Sequence, residues 1–127
     1  MSAELIARAQ LFASIEPGLT FWSSEVFENG AEAVLEKCRA GQYKYDVTDI
    51  LATNGEAVLE RIEKAGYQFL TPSEIFEELP APPIGLIASG NIDLIGKRAI
   101  SIVGTRNPTQ YGIKVASEMA ANFVDRE

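Results

Sequence analysis

Apolar positions recur at three- and four-residue spacing through the first half of the chain. Leu5, Ile6, Ala9, Leu11 and Phe12 mark one face of a first helix, which ends before the turn pair Pro17-Gly18. Phe21, Trp22, Val26 and Phe27 form an aromatic cluster on a second, short segment and read as core. Ala31, Val34, Leu35 and Cys38 stripe a third helix that stops near Gly41. Cys38 lies on that stripe, so it reads as a buried thiol and not a nucleophile. Asn54 caps a further helix, with Val58, Leu59 and Ile62 on one face, Glu60 and Lys64 paired on the solvent side, and Gly66 at its end. Residues 1–65 are therefore expected to be helical.

From Tyr67 the pattern changes. Residues 67–70 read as a short strand. Thr71-Pro-Ser-Glu74 is a capping box with proline at the first helical position, and predicts a short helix to Leu79. Glu74, Glu77 and Glu78 on it read as a solvated face and not a metal site. Pro80-Ala-Pro-Pro83 is a break or hinge. Residues 84–88 make the next strand, and residues 92–95 a turn of helix before Lys97-Arg98. Residues 99–103, Ala-Ile-Ser-Ile-Val, are β-branched and uncharged, as in a strand buried on both faces. The strands 84–88 and 99–103 are expected to lie parallel in one sheet. Residues 110–124 return to helical spacing, with Gly112, Val115, Ala116, Met119, Ala120 and Phe123 on one stripe.

Strand, glycine turn and helix together compose the first βα unit of a Rossmann-like domain. The helix N-terminus then aims free backbone N–H groups at the loop, which favours an anion of phosphate type. The loop lacks the three glycines of the dinucleotide fingerprint and the lysine of the P-loop. It reads Gly104-Thr105-Arg106, with the next glycine at Gly112. Arg106 could fork two hydrogen bonds onto a phosphate, or it could tie the loop to a neighbouring carboxylate or carbonyl.

Charge narrows the possibilities. The 127 residues carry a net charge of −7, but unevenly. Residues 1–80 hold 14 acidic and 6 basic side chains; residues 81–127 hold 4 and 5. An acidic front argues against that part as a nucleic-acid surface, since phosphate contacts dominate such affinity. A single cysteine excludes an internal disulfide framework, and the absence of histidine removes the usual zinc sites and His-based triads. No catalytic residue, metal or cofactor is expected. The start of the chain lacks a basic segment followed by an apolar run, and no stretch approaches a membrane span. The expectation is a cytoplasmic protein with no membrane partner.

The run Val103-Gly-Thr-Arg-Asn-Pro-Thr-Gln-Tyr-Gly112 resembles the Gly-Ser/Thr-Arg…Tyr-Gly motif of the DNA-processing protein A (DprA/Smf) family. Pro82-Pro-Ile-Gly-Leu-Ile-Ala-Ser-Gly-Asn91 is similar to that family's lead-in, and Gly66-Tyr-Gln-Phe-Leu-Thr-Pro72 to an earlier passage of it. The resemblance implies an α/β protein. A small N-terminal helical (SAM-like) domain at 1–66 would precede the opening of a Rossmann-like parallel sheet at 67–127. Because one helix alone cannot close such a sheet, the chain reads as the N-terminal piece of a longer protein, by truncation or an interrupted reading frame.

The function implied by the resemblance is binding of single-stranded DNA and assistance in loading a RecA-type recombinase during DNA uptake, natural transformation and recombination. A homodimer is a further partner to consider. The DNA contact carries over most directly to Arg106, then to Gly104, Thr105 and Gly112, and furthest to Lys97, Arg98 and Lys114. Tyr111 could stack or pack. Two other classes stay open: a Rossmann-like nucleotide-processing enzyme of the "lonely guy" phosphoribohydrolase type, and a folding remnant without ligand. The enzyme would need a downstream glycine-rich loop and a catalytic acid that this chain lacks. An apolar patch is expected to lie exposed on the last helix and to promote self-association.

Overall fold

A computed structural model describes residues 1–71, 79 and 81–126. The chain forms two compact units, Met1–Ile95 and Gly96–Glu127. The expected capping-box helix, with Glu74, Glu77 and Glu78, falls on residues outside those described, as does Pro80 of the proline break.

The first unit is a helical bundle with a small β-ribbon. Its helices are α1 (Ala3–Ser14), α2 (Thr20–Asn29), α3 (Ala31–Arg39), α4 (Thr48–Ala52) and α5 (Gly55–Lys64). The helical expectation for the front of the chain holds, and α4 is an addition to it. Local chemistry sets the boundaries. The Ser2 hydroxyl accepts from the Leu5 N–H at 3.2 Å and starts α1. The Asn54 side chain accepts from Ala57 N–H at 3.1 Å and starts α5. The Asp46 carboxylate accepts from both the N–H and the hydroxyl of Thr48, at 2.9 and 2.6 Å, ahead of α4.

Between α2 and α3 stands Gly30 at φ +84°, which bends the chain sharply and offers no capping side chain. Glu4 of α1 supplies the cap from across the bundle. Its two carboxylate oxygens accept from the N–H groups of Ala31 and Glu32 at 2.7 and 3.0 Å. A carboxylate is thus held at the positive end of α3, and α1 is tied to α3. Glu4 also faces Arg8 at 3.6 Å, and Arg8 donates to the Ile84 carbonyl at 3.0 Å.

The core is built where the stripes meet. Leu11 and Val34 are fully buried, surrounded by Ala7, Trp22, Val26, Ala31, Leu35, Cys38, Ile50 and Ile84. Burial pushes the Cys38 thiol above its ordinary value, against a smaller opposing pull from Arg39. α5 lies close against α1 because Gly55 has no β-carbon to collide with the Ile6 carbonyl. The expected aromatic core cluster divides: Trp22 and Val26 are buried, whereas Phe21 and Phe27 are exposed. The Glu60–Lys64 pair expected on α5 is not among the ion pairs of the described residues.

β1 (Gln68–Leu70) and β2 (Leu86–Ala88) pair antiparallel, with Gln68 opposite Ala88, Phe69 opposite Ile87 and Leu70 opposite Leu86. Phe69 packs edge-on against Phe12 of α1, ring centres 5.2 Å apart. A 3₁₀ turn at Ile92–Leu94 follows, started by the Asn91 side chain accepting from the Asp93 N–H at 3.0 Å.

The sheet corrects the expected topology. The described residues form no parallel pair and no Rossmann-like sheet; β2 pairs with β1, and residues 99–103 belong to no sheet. A parallel pair needs a crossover of about a dozen residues or more, usually a helix. Ten residues separate Ala88 from Ala99, and they contain one 3₁₀ turn. That is short for a crossover, whereas an antiparallel partner stood ready upstream.

Candidate nucleic-acid interface

The second unit consists of an extended stretch, a polar loop and α6 (Gln110–Val124), whose bounds are those expected from the sequence. Residues 99–103 run extended and exposed, with Val103 90% accessible. The loop is shaped by two threonines. The Thr105 hydroxyl accepts from the Asn107 N–H at 3.2 Å, folding the loop just beyond Gly104. Thr109 caps α6: its backbone is extended, and its hydroxyl accepts from the Gly112 N–H at 3.1 Å. Pro108 precedes it and restricts Asn107. A β-carbon at Gly112 would stand 3.4 Å from the Thr109 hydroxyl, an ordinary contact, so this cap does not itself demand glycine.

One of the orphan N–H groups at the helix start is therefore taken by Thr109. Those of Gln110 and Tyr111 make no hydrogen bond among the described residues. Gly104 faces open space, with nothing near its missing side chain and no positive φ. Arg106 is exposed on the same loop and makes no ion pair among the described residues. Tyr111 is 77% accessible, so it does not pack.

The remaining basic residues are distributed along the unit. Lys114 stands one turn into α6 and faces Glu118 at 3.9 Å, an exposed pair of small energetic consequence. Arg98 lines a groove of about 440 Å³ with Ala99, Ile100, Ile102, Phe123 and Arg126. That groove lies at the C-terminal end of α6. The helix is about 22 Å long at 1.5 Å per residue. Arg98, and Lys97 beside it in sequence, thus belong to the end away from the Gly104–Arg106 loop. The geometry groups Gly104, Thr105, Arg106 and Gly112 around the helix start, with Lys114 one turn on.

No residue of α6 is buried; Val115 and Ala116 are half-covered, while Met119, Phe123 and Val124 are exposed. No helix of the described residues is long and apolar enough to cross a membrane.

These features define a small α/β protein that carries, on its more basic portion, an open loop running into a helix N-terminus. Residues 67–127, just under half of the chain, match the family model described as DNA recombination-mediator protein A, which supports an assignment of that type for this part of the chain. The match spans β1, β2, the loop and all of α6. No curated protein and no solved structure matches the chain.

Proposed function

We propose that the chain binds single-stranded DNA through the loop at residues 104–106 and the start of α6, in the service of recombination. The observation that carries this reading is the family match, which spans an exposed arginine on an open loop at a helix start, without an ion pair among the described residues. Arg106 supplies a forked pair of donors for a backbone phosphate, and the N–H groups of Gln110 and Tyr111 add a partial positive charge. Gly104 leaves room for close approach, Thr105 folds the loop, and the Gly112 N–H donates to the capping hydroxyl of Thr109. Lys114 contributes long-range attraction; Lys97 and Arg98 serve only a strand that extends along the unit.

The reading is one of binding without catalysis. Its partners are single-stranded DNA, a RecA-type recombinase to be loaded on it, and a second copy of the protein. This reading keeps a helical domain at 1–66 and a DNA-binding domain from 67 onward, the start of the family match, although the compact units divide between Ile95 and Gly96.

Because the contact is to phosphate, it should be indifferent to base sequence. Arg106→Ala should weaken single-stranded DNA binding by about 1–3 kcal/mol, the scale of a charge-assisted hydrogen bond. It should also lower the slope of log affinity against log salt by roughly one phosphate's share. Arg106→Lys should recover only part, keeping the charge and losing the fork. Equal affinity and equal salt slope for Arg106→Ala and wild type, with the fold intact by circular dichroism, would reduce Arg106 to a structural residue.

A further inference from the structure

The acidity of the first unit conceals one exception. Residues 37–45, Lys-Cys-Arg-Ala-Gly-Gln-Tyr-Lys-Tyr, hold three basic side chains and no acidic one, within a unit of 15 acidic and 6 basic residues. The run leads from the end of α3 towards α4, and its two tyrosines fold back onto α2. Tyr43 meets Trp22 at a ring-centre distance of 4.9 Å, and Tyr45 meets Phe21 at 4.9 Å. Trp22, only 6% exposed, backs the cluster, while Phe21 and Tyr45 remain 40% and 56% open to solvent.

The charge close to the rings is balanced, with Lys37 and Lys44 against the carboxylates of Glu25 and Asp46, each of which already has a partner. The Tyr43 hydroxyl donates to Glu25 Oε2 at 2.7 Å, and Lys37 Nζ approaches the same oxygen at 3.9 Å. Asp46 is turned into its bonds with Thr48. Arg39 lines a separate groove together with Ala3, Glu32 and Glu36. Lys44, exposed between the two tyrosines, makes no ion pair among the described residues.

We propose that Phe21, Tyr45 and Lys44 form a second, stacking contact for single-stranded nucleic acid. The inference rests on the reading of single-stranded DNA as the ligand, and adds a base-facing surface to the phosphate-facing loop. An exposed aromatic face stacks any base, so the contact is sequence-tolerant. Phe21 and Tyr45 pack on each other and on Trp22, so part of their side-chain freedom is already lost before binding. An exposed lysine next in sequence to Tyr45, with no ion pair among the described residues, suits a phosphate backbone, whereas lysine is depleted from the centres of protein–protein interfaces.

The test uses the full chain and an oligothymidylate of about fifteen nucleotides, within the site sizes of single-strand binders. A Tyr45→Trp variant places an indole where a base should stack, and its emission should be quenched on titration. Tyr45→Ala should weaken binding, read by anisotropy of a labelled oligonucleotide, about fivefold or more, and Tyr45→Phe should restore it. Tyr45 is exposed, so these variants should keep the wild-type fold. An unchanged emission up to about 1 mM oligonucleotide, beyond ordinary non-specific affinity, overturns the proposal. So does wild-type affinity for Tyr45→Ala. Arg106→Ala separates the two contacts. Quenching at position 45 with no effect of Arg106→Ala would keep the platform and remove the loop; lost affinity in Arg106→Ala with a silent reporter would do the reverse.

Discussion

α1 and α6 are both amphipathic helices with a serine or threonine cap, yet one is buried and the other is not. Ala9 and Leu11 of α1 are wholly enclosed, and no residue of α6 reaches that state. The difference does not lie in the helices' own patterns. α1 meets α3, α4 and α5, whose stripes face it. Within its own unit and among the described residues, α6 has an extended segment beside its last turns, at the groove lined by Ile100, Ile102 and Phe123. A hydrophobic stripe specifies that a face wants cover; long-range partners decide whether it gets any.

The largest expected effect contrasts these two stripes directly. Leu11→Ala should destabilise the first unit by about 2–5 kcal/mol, the cost of lost transfer energy plus a residual cavity. Met119→Ala on α6 should change stability by no more than about 0.5 kcal/mol, as for an exposed site without special contacts. Urea unfolding followed by Trp22 emission measures the first; far-ultraviolet circular dichroism in the same titration reports on α6 as well. Equal losses for the two variants would show that α6 is covered as fully as α1.

Capping supplies a smaller contrast. Glu4 caps α3 across the bundle and also faces the largely buried Arg8, so Glu4→Ala removes a cap and leaves a charge with only the Ile84 carbonyl. A cost of about 1–3 kcal/mol is expected, spread over α1 and α3. Thr109→Ala removes the local cap of α6 and should cost about 1 kcal/mol or less, confined to fraying of that helix. Amide exchange distinguishes them: Glu4→Ala should raise exchange across both α1 and α3, and Thr109→Ala only over the first turn of α6.

Much of this was legible from residue pattern alone. The helix bounds of α6, the stripe of α3 with Cys38 on it, and the asparagine cap of α5 all follow from local spacing. What escaped was non-local. Nothing in the neighbourhood of Gly30 names Glu4 as its cap, because the partner lies 27 residues upstream of Ala31. Residues 99–103 have the composition of a buried parallel strand, but composition does not supply a crossover. α4 and the Tyr43–Tyr45 platform were missed although Asp46-x-Thr48 is a usable start signal and the acid-free run at 37–45 is visible in the chain. Averaging charge over the whole front hid the latter. The exposed positions of Phe21 and Phe27 were likewise unreadable, since an aromatic cluster has two sides and the sequence does not say which faces water.

The smallest effect concerns pH and again divides the units. Cys38 and Tyr43 in the first unit are both pushed above their ordinary values: the thiol by burial, the phenol by burial and then by its bond to Glu25. An acid whose folded pKa is raised is favoured in its neutral form by the fold. Its contribution is complete below the unfolded pKa and is lost as pH climbs through the folded value. Stability of the first unit should therefore begin to fall near the ordinary thiol value of 9.0 and fall further beyond the ordinary phenol value of 10.0. Cys38→Ala removes the first of these groups and should flatten the curve between those two values, at a modest uniform cost from the smaller side chain. Tyr43→Phe should flatten it above the second. The helicity of α6, with neither group near it in sequence, should not follow the same curve. Unfolding midpoints measured at half-unit steps from pH 7 to about 11 check this, and an unchanged alkaline slope in both variants would mean that neither group carries the linkage.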